Sequence, residues 1–273
     1  MKTAVVMTCF NRCEKTINCI KKLHTGNDLN DYRFIVVDDN SKDGTCEKIE
    51  ALGFSDVVIL HGNGNLFWNG GMHMGIEYAL NQYADFDFLL LVNDDVDFVP
   101  GILDKLISYS QKNHDGNAVI VGPTCNTEGE FSYGGILYTK SLNYEMLGPD
   151  RNAIDCTTFN ANCTLIPMKI MKQVGNLDSY YRHSMGDFDL GFRVSRAGYK
   201  IHVFNEYVGV CNDNPKEGSW RDSSLGIIQR IKLKESFKGL PFKDWFHYLK
   251  NNFGIGTAIV RSFTPYIKIL LKK

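Results

Sequence analysis

The feature that most constrains this chain is an apolar run that ends in a cluster of carboxylates. Residues 88–92 (FLLLV) are continuously apolar, which is typical of a strand covered on both faces in a parallel sheet. Asn93, Asp94 and Asp95 follow at once, and Asp97 stands two residues later. Ligands bind at the carboxyl ends of such strands, and clustered carboxylates favour a hard cation such as Mg²⁺ or Mn²⁺. A solvated acidic turn is the alternative, and what else meets this edge decides between them.

The rest of the chain alternates short apolar runs with stretches of helical period, which predicts βαβ units around a parallel sheet. The predicted strands are residues 4–7, 34–37, 57–60, 88–92, 119–121, 163–167 and 201–204. The predicted helices are residues 14–23, 45–52, 75–82, 169–174 and 187–197. Residues 134–147 are typical of a hairpin or loop. We therefore expect an α/β fold with a Rossmann-like, mostly parallel central sheet flanked by helices.

Charge is distributed unevenly along the chain: the part after residue 215 is basic and the part before it is acidic. Residues 216–273 hold 12 Lys+Arg and 4 Asp+Glu, a net charge of +8, whereas residues 1–215 hold 18 and 27, a net charge of −9. We predict a catalytic domain at residues 1–215 and a basic, helical C-terminal extension at residues 216–273. Aromatic residues interleave with the basic ones in residues 245–273. This pattern predicts either a segment at an anionic membrane surface or helices that pack on the core or on a second subunit.

The cysteines and the N-terminus indicate a reducing compartment. No CxxC pair occurs among the eight cysteines, so their spacing does not predict a zinc site. The first apolar run is too short for a signal peptide, and no segment reaches the roughly 18 apolar residues of a membrane span. We expect a cytoplasmic protein with free thiols, with the inner face of the membrane as a candidate location. Nothing in the sequence indicates a nucleic-acid partner.

Polar clusters follow three of the predicted strands. Residues 8–12 (TCFNR) follow the first, residues 38–44 (DDNSKDG) the second, and residues 93–97 the fourth. Because consecutive parallel strands end at the same edge, these clusters are expected to meet at one crevice. Asp38 or Asp39 could accept a hydrogen bond from a uracil imide or a ribose hydroxyl there. A helix-entry turn with capping residues explains the Asn, Ser and Asp that follow, but not two consecutive aspartates at a strand end.

A glycine-rich segment, GNGNLFWNGGMHMG at residues 62–75, is predicted to be a loop that enters a helix. It matches neither the dinucleotide-binding fingerprint nor the P-loop. Gly70 and Gly71 would let the backbone approach a diphosphate or a ribose closely. A flexible solvent loop is the alternative, but such a loop rarely carries large apolar side chains like Phe67 and Trp68.

Five segments in this order resemble the inverting family 2 glycosyltransferases with the GT-A fold, in particular bacterial rhamnosyltransferase-like members acting on cell-surface polysaccharides. The segments, within about residues 3–211, are VVMTCFNR, VVDDNSKDGT, GNLFWNGGMHMGI, LLLVNDDVDFVP and MGDFDLGFRVSRAGY. Each alone is a weak indication, and all five in order are a strong one. The resemblance implies a UDP-, dTDP- or GDP-linked sugar donor, a glycan or lipid-linked glycan acceptor, and inversion at the transferred sugar.

The resemblance also assigns roles to individual residues. The family's metal-binding DxD motif resembles Asn93-Asp94-Asp95, so Asp95 is the implied ligand for Mg²⁺ or Mn²⁺. A family histidine that closes the metal site corresponds to Cys211, and a thiolate is a poor ligand for Mg²⁺, which predicts weakened metal dependence. The predicted donor-binding residues are Thr8, Asn11, Arg12, Asp38, Asp39, Gly70, Gly71 and Asp94.

The family's ED motif resembles Gly186-Asp187, which implies Asp187 as the catalytic base. An inverting transfer needs a carboxylate to take the acceptor proton on the face opposite the leaving diphosphate, and Asp187 opens a predicted helix whose dipole favours its charged form. A helix cap is the alternative role.

Two other classes of protein remain open from the sequence. A sugar-nucleotide nucleotidyltransferase would carry a glycine-rich, Arg- or Lys-bearing loop after the first strand, where this chain has only Arg12. A non-catalytic sugar-nucleotide or glycan-binding protein would not need both Asp95 and Asp187.

Overall fold

The computed structural model describes residues 1–139 and 142–271. Strands and helices alternate through the first half of the chain, and helices dominate its C-terminal part. The strands are β1 (Thr3–Cys9), β2 (Tyr32–Asp38), β3 (Val57–His61), β4 (Phe88–Val92), β5 (Asp97–Phe98), β6 (Val119–Val121), β7 (Thr124–Cys125), β8 (Phe131–Tyr133), β9 (Gly135–Tyr138), β10 (Tyr144–Leu147), β11 (Thr158–Phe159), β12 (Cys163–Pro167), β13 (Ile201–Val203) and β14 (Gly209–Val210). The helices are α1 (Cys13–His24), α2 (Thr45–Glu50), α3 (Phe67–Gln82), α4 (Ile102–His114), α5 (Met168–Val174), α6 (Gly186–Arg196), α7 (Ile227–Glu235), α8 (Phe242–Phe253), α9 (Ile255–Arg261) and α10 (Thr264–Leu270).

A seven-stranded central sheet has the order β13-β6-β12-β4-β1-β2-β3. Strands β1 to β4 run parallel to their neighbours in this group, whereas β12 lies antiparallel between β4 and β6. Cys9 is paired with Asp38, and Asp38 with His61, so the polar residues that follow β1 and β2 emerge at one edge of the sheet. The mostly parallel α/β sheet is as predicted.

Strand β4 is buried along its whole length because both of its faces are covered. Phe88, Leu90 and Val92 pack into the apolar core beneath α1 and α4. Leu89 and Leu91 point the other way, into the core beneath α3, α5 and α6. Successive side chains of a strand alternate between its faces, so a strand between two cores must be apolar at every position. The continuous apolar run in the sequence has this physical cause.

Helix α3 begins at Phe67, which makes the predicted loop over residues 62–75 wrong from Phe67 onward. Gly70 and Gly71 therefore lie within the helix and not in a loop. A Cβ at Gly71 would come within 2.1 Å of the Thr8 hydroxyl, and one at Gly75 within 2.5 Å of Val6 Cγ1. The glycines thus let α3 lie directly against β1. Close helix–strand packing, and not backbone freedom in a loop, explains why Gly71 and Gly75 are glycines.

The C-terminal helices pack on the rest of the molecule and on one another. Tyr248 and Leu249 of α8 are buried in a small apolar cluster with Tyr181. The buried guanidinium of Arg230 in α7 donates to the backbone carbonyls of Trp220, at 2.9 Å, and Ile269, at 3.4 Å. The extension is therefore helical and joined to the core, while its boundary at residue 216 stays a prediction. No helix in residues 1–139 or 142–271 is long and apolar enough to cross a membrane.

Candidate functional site

Two adjoining cavities open at the edge of the central sheet where β1, β2 and β4 end. Their volumes are about 220 Å³ and about 310 Å³. The residues that line both are Arg12, Trp68, Asp94 and His183. We call them the first cavity, on the side of β2 and α3, and the second cavity, on the side of α6 and β14. The predicted crevice is thus a pair of compartments that meet at Arg12 and Asp94.

The first cavity combines aromatic walls with two buried carboxylates, Asp39 and the shared Asp94. Phe10 and Phe67 line it, as do Thr8 and Asp39. Asp39 accepts hydrogen bonds from the backbone N–H groups of Gly64 at 2.7 Å, residue 66 at 2.9 Å and Phe67 at 3.1 Å. These bonds fix the turn that precedes α3. A carboxylate has about four acceptor sites, so Asp39 keeps one for a ligand in the cavity.

Asp38 and Asn11, by contrast, line neither cavity. The Asp38 carboxylate accepts from the Ser41 N–H at 3.1 Å and from the Cys46 thiol at 3.1 Å. Asn11 donates its N–H to the Ser41 hydroxyl at 2.8 Å and accepts from the Lys42 N–H at 2.7 Å. Of the two aspartates left open by the sequence, Asp39 is the one that faces the crevice. Asp38 and Asn11 hold the neighbouring turn in place.

Arg12 bridges the two carboxylates that follow β4. Its Nη1 donates to Asp94 Oδ1 at 3.2 Å and to Asp95 Oδ2 at 2.9 Å. Asp94 is buried and also accepts from the Thr16 hydroxyl at 3.0 Å, and burial raises its pKa to about 6 although Arg12 opposes the shift. Asp95 is more exposed and lines the second cavity. A positive charge between these carboxylates is thus part of the site.

Asp97 lies outside this arrangement. Its carboxylate accepts from Asn18 Nδ2 at 3.1 Å and is 3.5 Å from Lys22 Nζ. Asp97 lines neither cavity, because it begins β5 and points to the side of α1. Its contacts are those of an exposed surface carboxylate.

Asn93, at the first position of the DxD-like motif, is occupied by structural hydrogen bonds. Its Oδ1 accepts from Trp68 Nε1 at 2.8 Å, and its Nδ2 donates to Asn162 Oδ1 at 2.5 Å. An ionised aspartate could accept from Trp68 but could not donate to Asn162. The asparagine therefore has a physical reason here, and Asp95 is left as the more accessible carboxylate of the motif.

Asp187 lies at the first turn of α6 and lines the second cavity. Its Oδ1 accepts from the Phe188 N–H at 2.9 Å and its Oδ2 from the Ala161 N–H at 3.2 Å. Burial raises its pKa to about 6, with backbone hydrogen bonds opposing the shift. Asp187 therefore combines access to the cavity with an unusually basic carboxylate. Both are properties of a general base.

Gly186 stands where the resemblance implies the glutamate of the ED motif, and the packing there leaves no room for a side chain. A Cβ at this position would come within 1.7 Å of Asn69 Oδ1 in α3. Asn69 is buried, and its Nδ2 donates to the carbonyls of residue 178 at 3.0 Å and Tyr181 at 2.8 Å. The start of α6 thus packs directly on α3, and no side chain fits there.

The metal-binding chemistry of the second cavity is limited. Cys211 lines it, and burial, followed by the charge of Asp95, raises the thiol pKa to about 12, so the group is neutral and a poor ligand for Mg²⁺. Asp95 and Asp94 could hold a cation here only if a bound ligand supplied the remaining oxygen atoms. In the described part of the chain, the one group of three potential ligands within 4.8 Å of one another is Asp38, Cys46 and His61, which line neither cavity.

Several residues of the crevice are not predicted from the sequence as binding residues. Phe237 and Lys238 of the C-terminal extension line the first cavity, and Phe237 packs on Phe67 with ring centroids 4.2 Å apart. Asn214 lines the second. The C-terminal extension therefore lines the crevice together with the ends of the strands. These contacts join positions about 170 residues apart, which no local pattern reveals.

His183 lies where the two cavities meet. Burial, followed by the charge of Lys238, lowers the pKa of its imidazole, so the ring is neutral at neutral pH. Its buried Nδ1 has no hydrogen-bond partner within residues 1–139 and 142–271. An unpaired buried ring nitrogen at a cavity wall is available to a bound ligand.

Comparison with known proteins agrees with this architecture. A family model described as Glycosyl transferase family 2 matches residues 4–175, and no curated protein sequence matches the chain. Among solved structures, the chain is similar to the mannosyltransferase PcManGT from Pyrobaculum calidifontis, in complex with GDP-Man and Mn²⁺. That likeness has a TM-score of 0.57 at 14% identity and covers 99% of this chain and 78% of PcManGT. The chain has the GT-A fold, and it belongs to glycosyl transferase family 2.

Proposed function

We propose that this family 2 glycosyltransferase, which uses a nucleotide-sugar donor, transfers the sugar with inversion to a glycan acceptor. The observation that carries the proposal is that Asp187 and Asp95 line the second cavity, which adjoins the first cavity with its aromatic walls and Asp39. A base on one side of the reacting carbon and positive charge on the other is what an inverting displacement requires.

The nucleotide is assigned to the first cavity. Its base would lie between the aromatic walls, and Asp39 would accept from an imide or a ribose hydroxyl. The diphosphate would then reach Arg12, with Asp94 and Asp95 holding Mg²⁺ or Mn²⁺ against it. The similar mannosyltransferase is in complex with GDP-Man and Mn²⁺, which supports a nucleotide-linked sugar and a divalent cation as the ligands.

The transferred sugar and the acceptor are assigned to the second cavity. Asp187 would take the proton of the attacking hydroxyl, because a carboxylate with a pKa of about 6 is ionised at neutral pH yet more basic than an exposed one. We assign a hexosyl donor, with rhamnosyl transfer as the finer proposal from the sequence resemblance. The product would be a bacterial cell-surface polysaccharide such as a capsule or cell-wall glycan.

We further propose that the protein works in the cytoplasm, at the inner face of the membrane, on a lipid-linked acceptor. The C-terminal helices expose large apolar side chains next to basic ones, as a surface that meets anionic lipid would. Those between 51% and 69% exposed are Ile255, Ile259, Val260, Phe263, Ile267, Leu270 and Leu271.

A thermal-shift experiment with UDP-, dTDP- and GDP-sugars, with and without Mn²⁺, tests the donor assignment. A ligand that binds only the native state raises the melting temperature, and we expect one nucleotide class to do so more strongly with Mn²⁺. The Asp95→Ala variant should lose the Mn²⁺-dependent part of that shift. The absence of a shift with every nucleotide sugar would count against the assignment.

A further inference from the structure

We propose that a groove leading away from the second cavity binds a phosphate-bearing glycan as the acceptor, an inference that rests on the proposed function. We call it the acceptor groove. It lies between the β9–β10 region and the C-terminal extension, and the residues used below to define it are Tyr138, Tyr144, Trp220, Arg221, Trp245 and Lys268. Its position, its charge and its aromatic side chains each support this ligand.

The acceptor groove is continuous with the second cavity, where Asp187 lies. Ser184, Met185 and Phe188, at the start of α6, line both the second cavity and the near part of the groove. The near part then runs into the far part, since Trp220 and Trp245 line both. A chain of sugars with its reactive hydroxyl at Asp187 could therefore extend along the groove toward α10.

The charge of the acceptor groove is entirely positive. Among the described residues no aspartate or glutamate lines it, and its cationic residues are Lys216, Arg221, Lys238, Arg261 and Lys268. Within residues 1–139 and 142–271, none of these five has an ion-pair partner within 4.0 Å. A concave surface with only positive charge, in a chain of net charge −1, attracts an anionic ligand. Phosphate oxygens suit such groups because charge-assisted hydrogen bonds to Arg and Lys are strong.

The aromatic side chains of the groove fit the sugar part of the ligand. Tyr138 and Tyr144 stand on one wall with their ring centroids 5.3 Å apart, and Trp220 and Trp245 belong to the other wall. Flat apolar rings with polar edges can cover the C–H faces of sugars while leaving the hydroxyls to water. The guanidinium carbon of Arg221 lies 5.2 Å from the centroid of the Trp220 ring. The groove therefore has a cation next to an aromatic ring.

The far end of the acceptor groove reaches helix α10. Thr264, Pro265 and Lys268 of that helix line the groove, whereas Ile267 and Leu270 on the same helix are more than half exposed. A phosphate at Lys268 would lie beside this apolar surface. The phosphate could belong to a lipid diphosphate headgroup or to a glycan free of lipid, and the two sources share the chemistry that the groove recognises.

Tryptophan fluorescence provides the test, because two of the three tryptophans lie in the groove, whereas Trp68 lies where the first and second cavities meet. Three probes are titrated into the full chain: a geranyl diphosphate-linked disaccharide, the same disaccharide as its 1-phosphate, and its neutral methyl glycoside. We expect both phosphate-bearing probes to bind at least about tenfold more tightly than the methyl glycoside, as one strong charge-assisted contact provides. Tighter binding of the geranyl probe identifies a lipid-linked acceptor, and equal binding of the two phosphates identifies a lipid-free one.

Charge-matched double variants show whether the groove itself is responsible. Arg221→Gln with Lys268→Gln removes two groove charges and should weaken phosphate-probe binding about tenfold or more. Lys232→Gln with Lys250→Gln removes two exposed charges of α7 and α8 that lie outside the groove, and should leave binding unchanged. Equal binding of the neutral and phosphate probes, or equal losses in both double variants, would overturn the inference. Donor thermal shifts in the same variants report the proposed function separately, because they do not depend on the groove.

Discussion

Burial gives Asp94 and Asp187 the same high pKa of about 6, although their surroundings differ. Asp94 has Arg12 beside it and still shifts upward, whereas Asp187 has only backbone N–H groups. Asp95, bonded to the same guanidinium, is the more exposed carboxylate of the pair. At this scale strand-end and motif positions drew attention to five carboxylates, of which Asp39, Asp94, Asp95 and Asp187 line the cavities and Asp38 does not. The sequence could not predict that Arg12 bridges Asp94 and Asp95. These two carboxylates lie 82 and 83 positions after Arg12 in the chain.

The raised pKa of Asp187 predicts how transfer depends on pH. Below about pH 6 the carboxyl is protonated and cannot accept the acceptor proton, so kcat should fall about tenfold per pH unit. The fold is not lost for this reason, because a carboxyl with a raised pKa binds its proton more tightly when folded. Its stabilising contribution is therefore complete below the unfolded pKa of about 4 and is lost as the pH rises through 6. A pH–rate profile with circular dichroism at each pH checks this, and a flat profile down to pH ~4.5 would contradict it.

Asp95 and Asp97 form a matched pair for the metal assignment. Asp95→Ala should weaken the binding of a nucleotide diphosphate in the presence of Mn²⁺ by about tenfold or more, because a direct carboxylate ligand is lost. Asp97→Ala removes the same group two residues away, outside both cavities, and should leave binding unchanged. Calorimetry with and without Mn²⁺ measures both variants. Similar losses in the two would exclude Asp95 as the principal ligand.

At the scale of elements, helix α3 organises the site because it packs closely on two neighbours. Its glycines allow contact with β1, and Asn69 on the same helix receives the start of α6. The strands of the central sheet were predicted because each carries an apolar run; in β4 every position is buried, whereas the edge strand β3 is half-buried. The start of α3 was not predicted, because Gly70 and Gly71 have low helix propensity and the packing of Gly71 against Thr8 cannot be read from the sequence. The two-residue and three-residue strands of the smaller sheets are too short to show any period.

Gly71 and Gly70 allow this packing to be tested with adjacent substitutions. Gly71→Ala would place a Cβ 2.1 Å from the Thr8 hydroxyl and 2.8 Å from Thr8 Cβ, so α3 must shift and stability should fall by about 1–3 kcal/mol. Gly70→Ala meets only the side chain of Leu66, at 3.3 Å. It should be neutral, or stabilising by up to about 1 kcal/mol, because alanine favours the helix. Urea unfolding measures the stability of both variants. Equal stabilities of the Gly71→Ala and Gly70→Ala variants would show that α3 does not depend on this contact.

At the scale of the whole molecule, the C-terminal extension completes the crevice and also presents an apolar surface. The sequence left open whether residues 245–273 meet a membrane or pack on the core. Tyr248 and Leu249 of α8 are buried, whereas Ile259 and Ile267 of α9 and α10 are more than half exposed. Removal of the whole segment would therefore uncover the core. Composition and charge could indicate an amphipathic tail, but which side chains are inside is set by tertiary contacts.

Two substitutions on the exposed side of this surface test membrane association without uncovering the core. Ile259→Asp with Ile267→Asp should reduce sedimentation with anionic phosphatidylglycerol vesicles severalfold, because apolar burial is lost and like charges repel. Binding of the wild-type protein should also fall as salt is raised. Met146→Asp changes a similarly exposed apolar residue on β10 and should have no effect. Unchanged sedimentation of the double variant would place the surface in a protein contact.

The most direct measurement uses an α-linked nucleotide sugar as the donor and water as the acceptor. The anomeric configuration of the sugar that is released first is recorded by ¹H NMR. If Asp187 activates a nucleophile opposite the leaving diphosphate, the wild-type protein releases the β-anomer before mutarotation begins. The Asp187→Asn variant should release sugar about 10²–10⁴-fold more slowly, while its donor affinity stays within a few-fold of the wild type. Initial release of the α-anomer, or an Asn variant that turns over at the wild-type rate, would contradict the account.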